Sequence, residues 1–203
     1  MHALPEALAP MGQYRQFIVY KLVPGRKPGK MDKLPVDFRT GRVTVKGQGG
    51  AHDPAIWTDF ATAASAAINA GAGHGVGFVF TVNDPFWFLD IDGAYMPVDP
   101  TNPAGAWDWS AIAKALCAAL PGVAVEVSSS GKGLHLFGTG QCPPHGCTCK
   151  AYGLEFYTSD RFVALTGTSA VGSAATDVSH LLPSLVGQFF PPAAAGEGSS
   201  DWT

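Results

Sequence analysis

No stretch of this chain stays apolar for the ~18–20 residues that a membrane-crossing helix needs, which excludes a spanning helix. The N-terminus has no basic head followed by an apolar run, so no secretory signal is expected, and a cytoplasmic location with reduced cysteines follows. Charge is scarce, at 14% of 203 residues, while 46% are hydrophobic; that balance describes a globular protein rather than a disordered one. No internal repeat is present. What the chain has in quantity is glycine, 25, and proline, 16, which predicts many turns and short strands.

The net charge of −3 hides an asymmetry. Nine of the 13 Lys and Arg fall between Arg15 and Lys46: Arg15, Lys21, Arg26, Lys27, Lys30, Lys33, Arg39, Arg42 and Lys46. The same segment holds only Asp32 and Asp37 as acids. A basic patch beside a carboxylate cluster suits an enzyme that grips a polyanion.

In chain order, residues 1–14 read as a flexible tail. Phe17–Tyr20 reads as a strand, and residues 24–52 as a long irregular connection or a short hairpin around Thr40-Gly41. Asp53-Pro54 reads as the start of a helix that ends at Ala70-Gly71. Residues 75–81 and the stretch beginning at Trp87 read as a hairpin turning at Asn83-Asp84-Pro85. Asp108 is expected to cap a second helix ending near Leu120. Val123–Ser128 and Leu134–Gly138 form a second hairpin, and Leu154–Tyr157 with Arg161–Thr166 a third. A C-terminal helix is expected within 177–190, and residues 191–203 read as a linker to further sequence. The fold class is therefore α+β: a mainly antiparallel sheet with helices packed on one face and a polar surface on the other.

That polar surface carries the chemistry. In Trp87-Phe88-Leu89-Asp90-Ile91-Asp92, side chains alternate, so Asp90 and Asp92 share one face while Leu89 and Ile91 anchor the other. Two carboxylates roughly 6–7 Å apart on a strand repel unless a cation lies between them, and hard divalent ions with oxygen ligands are the usual answer. His135 stands outward between Leu134 and Leu136 in the same way, and Glu155 between Leu154 and Phe156. Glu126 alternates outward too and ranks second. Ser128-Ser129-Ser130-Gly131-Lys132-Gly133 is a tight turn able to offer hydroxyls, backbone N–H groups and a cation to a phosphate. Cys142, His145, Cys147 and Cys149 lie within eight residues and form a possible Zn²⁺ set, with spacing tighter than common zinc sites.

The order of these motifs resembles the archaeo-eukaryotic primase superfamily, and most closely the bifunctional primase-polymerase (PrimPol) domains of phages and plasmids. The resemblance rests on Asp90 and Asp92; on Ser128, Ser130, Gly131, Gly133 and His135; and on Glu155, Arg161, Phe162, Thr166 and Gly167. Lys33-Leu34-Pro35 and Trp57-x-x-Phe60 resemble the lead-in. It spans about residues 15–170 and implies a catalytic domain over 15–190. Within it, an N-terminal α/β unit would occupy about 15–75 and an RRM-like catalytic part about 76–170. It implies template-directed nucleotidyl transfer from nucleoside triphosphates to a 3′-hydroxyl in phage or plasmid DNA replication, on DNA template and primer. Asp90, Asp92 and Glu155 would hold two Mg²⁺ or Mn²⁺ as the catalytic set with His135. Ser128, Ser130, Lys132, His135, Arg161 and Lys33 would bind the nucleotide. A helicase domain downstream in a longer chain fits the same resemblance, as does the host cytoplasm for a phage-encoded protein. One departure stands out: many members carry Ser two residues before the His, where this chain has Gly133.

Two other function classes use similar residues. A metal-dependent nuclease would release fragments from DNA without nucleoside triphosphates. A non-enzymatic RRM-like nucleic-acid-binding module would stack bases on exposed aromatics, and acids on its open face count against it. A rolling-circle endonuclease would want a His-x-His pair on a strand, which is lacking.

Overall fold

The computed structural model describes residues 1–27, 29–44 and 50–192. Lys46 and the C-terminal segment from residue 193 lie outside the described residues. Eight strand pairings, all antiparallel, build two main sheets and one small hairpin, and the molecule is α+β. No helix among the described residues is long and apolar enough to cross a membrane.

The first sheet has four strands. β1 (Phe17–Pro24) lies between β2 (Met31–Val36) and β3 (His74–Phe80), and β11 (Arg161–Ala164) closes the far edge beside β3. The second has five, in the order β7 (Ala124–Val127), β8 (Leu134–Thr139), β4 (Phe86–Ile91), β10 (Leu154–Tyr157), β9 (Thr148–Cys149). β5 (Tyr95–Pro97) and β6 (Trp107–Trp109) pair as a separate hairpin between the aspartate strand and the second helix.

The five-stranded sheet has two different faces because its strands alternate. Trp87, Leu89, Ile91, Leu134, Leu136, Leu154 and Phe156 pack under α2 (Ala111–Ala119) and α3 (Leu182–Phe189). Each such Leu or Phe is worth about 1.5–3 kcal/mol when fully removed from water. The opposite face does not lie open, as the sequence suggests. Phe86, Phe88 and Phe137 on it meet Phe78 and Phe80 of the first sheet, with Phe78–Phe86 centroids 6.0 Å apart and Phe80–Phe88 5.7 Å. α1 (Phe60–Ala70) joins this inter-sheet core through Ala63, Ala64 and Ala67.

Two expected hairpins do not form. β3 pairs with β1 and β11, and β4 pairs with β8 and β10, so neither has an edge left for the other. The short connection is instead a corner. The Asp84 carboxylate accepts from Thr81 N (2.7 Å), Thr81 Oγ1 (3.0 Å), Phe86 N (3.1 Å) and Gln16 Nε2 (2.7 Å), turning the chain from one sheet into the other. β10 and β11 part the same way, across a turn where Asp160 adopts φ 54°. The four-stranded sheet thus takes β3 and β11 from segments that the sequence assigns to the catalytic part.

The caps also differ. Asp53 caps only a 3₁₀ turn, Pro54–Ile56, and Asp59 caps α1, its carboxylate accepting from Thr62 N at 2.9 Å. Ser110 rather than Asp108 caps α2; Asp108 sits in β6 and pairs with Lys114. The segment expected as a flexible tail carries a 3₁₀ helix, Glu6–Gln13, whose Leu8 and Met11 are wholly buried in the inter-sheet core.

Candidate active site

The central strand β4 sets the geometry. Asp90 lies directly opposite His135 on β8 and Glu155 on β10, and His135 lies opposite Glu126 on β7. Directly opposed residues of antiparallel strands share a face with Cβ atoms ~4.5–5.5 Å apart. Glu126, His135, Asp90 and Glu155 therefore form one in-register row across four strands. Asp92 follows just past the strand end, exposed, its N–H donating to Gly153 O at 2.9 Å.

Along the row the environment changes from dry to wet. Glu126 and His135 are buried, with His135 Nδ1 2.9 Å from Glu126 Oε1. His135 Nε2 lies 3.9 Å from Asp90 Oδ1, beyond hydrogen-bond reach. That Asp90 oxygen is buried and has no hydrogen-bond partner among the described residues. Burial pushes the Asp90 carboxyl above the usual carboxylate range; His135 and Lys33 oppose the shift, and Asp92 and Glu155 add to it. Glu155 is half-buried. Its Oε2 accepts from Arg161 Nη2 at 2.6 Å and from Tyr157 Oη at 2.9 Å, while the Arg161 guanidinium stacks 4.6 Å over the Tyr157 ring. Burial, reinforced by the bond to Glu155, pushes the Tyr157 phenol up to about 12.

A cavity of about 760 Å³ opens where the two sheets part, lined by Asp90, His135 and Phe88 on one side and Lys33, His52 and Arg161 on the other. Burial lowers the Lys33 ammonium from its ordinary value, and Asp90 and Asp92 partly restore it. Cations thus face the acid row across the gap.

The Ser/Gly turn sits differently. Ser128 and Ser129 line a second cavity, about 410 Å³, with Tyr20, His74 and Thr166. Ser128 Oγ accepts from Gly133 N at 3.1 Å and shares a hydrogen with Ser130 Oγ at 3.0 Å, so these hydroxyls hold the turn together. Lys132 Nζ lies 5.3 Å over the Trp107 ring. Gly133 has a local reason: a Cβ there would sit 2.8 Å from Ile91 O and 2.9 Å from Ser128 Oγ.

The four candidate zinc ligands are not gathered. His145 Nδ1 is 2.9 Å from Gly146 O and its Nε2 3.1 Å from Thr158 Oγ1, while Cys142 and Cys149 pack toward the apolar cluster under α3. Burial raises the Cys142 thiol to about 11. Among the described residues, no group of three or more His, Cys, Asp or Glu side chains is assembled to hold a metal ion. In the acid row Glu155 is turned onto Arg161.

The sequence places Asp90, His135 and Glu155 on one face, and the structure puts them side by side. It does not foretell His52, which no motif marks, nor the burial of Glu126, whose outward alternation is the same signal that marks the others.

No family model matches the chain. It is 28% identical over 187 residues to a protein named DNA Primase-polymerase from Nitratiruptor phage NrS-1, an alignment covering 90% of this chain. The chain is similar to a phage DNA primase-polymerase. It spans 23% of that relative's length.

Proposed function

We propose that this chain is the nucleotidyl-transfer domain of a DNA primase-polymerase, adding nucleotides from nucleoside triphosphates to a 3′-hydroxyl on a DNA template. The observation that carries this reading is the in-register row of Glu126, His135, Asp90 and Glu155, whose His135 and Asp90 share one cavity with Lys33 and Arg161. The similarity to the phage protein supports it.

Asp90, Asp92 and Glu155 fit a divalent cation by donor type, all oxygen, and by the unpartnered Asp90 Oδ1, a buried acceptor with nothing to bind. Mg²⁺ or Mn²⁺ held there would supply Lewis-acid charge beside the reacting phosphate. The protein's own groups do the rest. Lys33 and Arg161 present positive charge to a triphosphate in the cavity. Arg161, drawn toward phosphate oxygens, releases Glu155 to turn toward Asp90. His135 presents Nε2 toward the same space, and Phe88 and Phe137 keep its ring oriented, at centroid distances of 5.3 and 6.1 Å.

The test is primer extension and de novo priming on single-stranded DNA with Mg²⁺ or Mn²⁺, run with rNTPs and dNTPs separately. Template-dependent incorporation is expected, and Asp90→Ala with Asp92→Ala should abolish it. Full activity in that double variant, or release of DNA fragments without any nucleoside triphosphate, would refute the proposal.

A further inference from the structure

Glu126 is a charged side chain with no exposed surface, at the dry end of the row and beyond reach of any nucleotide. Burying a carboxylate costs several kcal/mol unless its oxygens are satisfied. Here every backbone neighbour is a donor. Oε2 accepts from Gly167 N at 2.8 Å and Thr166 N at 3.1 Å; Oε1 receives Thr166 N at 3.2 Å and stands 2.9 Å from His135 Nδ1. The successive N–H groups of Thr166 and Gly167 point at one oxygen, and the chain leaves them through Gly167 at φ 65°. The site is built to hold a carboxylate, and among the described residues the carboxylate's one side-chain partner is His135.

We propose that Glu126 is the positioning residue of the acid row: it fixes a proton on Nδ1 of His135 and so leaves Nε2 as the ring atom that faces Asp90 and the incoming nucleotide. The nucleotide half of this statement rests on the proposed function; the proton's location does not. An ionised carboxylate only accepts, so the ring nitrogen against it must donate, whether the imidazole is neutral or charged. A flipped ring would put carbon in place of Nδ1 against Glu126 Oε1 and lose that contact.

Glu126→Gln separates this role from mere space-filling. The two backbone N–H groups at Oε2 demand an acceptor there, so the amide oxygen takes that place and the amide NH₂ faces His135. Nδ1 must then accept, and the proton moves to Nε2. Long-range ¹H–¹⁵N spectra of histidine-labelled protein, with the His135 signals assigned from His135→Ala, read this directly. Wild type is expected to carry the proton on Nδ1, and Glu126→Gln to carry it on Nε2. A neutral His135 with bare Nδ1 in the wild type would overturn the proposal, and that reading needs no folded Glu126 variant.

Incorporation kinetics give the second arm. Glu126→Gln should lower kcat/KM for the nucleotide at least about 10-fold, as loss of a histidine's orienting carboxylate does elsewhere. It should cause no further loss in a His135→Ala background. Wild-type kinetics in Glu126→Gln, or a loss that persists undiminished without His135, would overturn the positioning role. A wild type that incorporates no nucleotide would instead refute the proposed function, while the ring spectra still decide where the proton sits.

Discussion

Replacing Asp90 with asparagine should make the metal-free protein more stable while removing its activity. Asp90 Oδ1 is buried without a partner, and its carboxyl is held above the ordinary range by burial and by Asp92 and Glu155. An unsatisfied buried polar atom costs ~1–3 kcal/mol, and more when charged. Asparagine keeps the shape and removes the charge but is still polar, so a gain of about 1 kcal/mol is the reasonable figure. For a chain of this size that raises Tm by roughly 2–4 °C. Linkage sets the pH dependence. A carboxyl whose pKa is raised on folding penalises the fold above that pKa, and the penalty fades as the pH falls and the group is protonated. The advantage of the Asp90→Asn variant should therefore shrink on acidification. Divalent ions should reverse the order: at 100 times its dissociation constant, an ion adds about 2.7 kcal/mol to the wild type. Scanning calorimetry with and without Mn²⁺ measures both. A variant that melts lower than wild type in metal-free buffer would refute the unpartnered-oxygen argument. Failure of the order to reverse with Mn²⁺ would refute the cation site.

Leu8→Ala should cost about 2–5 kcal/mol by denaturant unfolding, because Leu8 is fully buried in the inter-sheet core; a surface-sized effect would mean the N-terminal segment is not part of the fold. Gly133→Ser should destabilise by about 1–3 kcal/mol in a thermal melt, since its Cβ meets Ile91 O and Ser128 Oγ inside normal contact distance. Asp59→Ala removes the cap of α1 and should cost about 1 kcal/mol. Bonds from Thr62 hold that carboxyl below its ordinary value, so the loss should be full at neutral pH and fade on acidification through the carboxylate range, as urea titrations at several pH values would show.

The acid row was legible because strand pleating has a period of two. Leu89 and Ile91, Leu134 and Leu136, and Leu154 and Phe156 mark the buried face, which leaves Asp90, His135 and Glu155 to share the other. Strand partners were not legible. His74–Phe80 and residues 86–89 are largely apolar on both faces, so alternation there cannot say which neighbours they take, and a short connection invites a hairpin. The decisive residue, Asp84, looks like any turn aspartate until its bond to Gln16 is seen. The caps fail for a related reason: Asp53 and Asp59, and Asp108 and Ser110, are all sound N-cap residues, and only packing chooses between them. The first fourteen residues read as a flexible tail, although Leu8 and Met11 already had the i, i+3 spacing of a buried ridge.

Because the chain crosses between the sheets at Asp84 and again before β11, the first sheet begins at Phe17 and is completed only at Ala164. During synthesis, its last edge strand leaves the ribosome long after the first three. Such sequence-distant pairing makes for slow, late folding, with β3's open edge exposed to wrong partners in the meantime. A polypeptide ending near residue 150 should therefore be a poor folder and a ready aggregator, whatever its share of intact secondary structure.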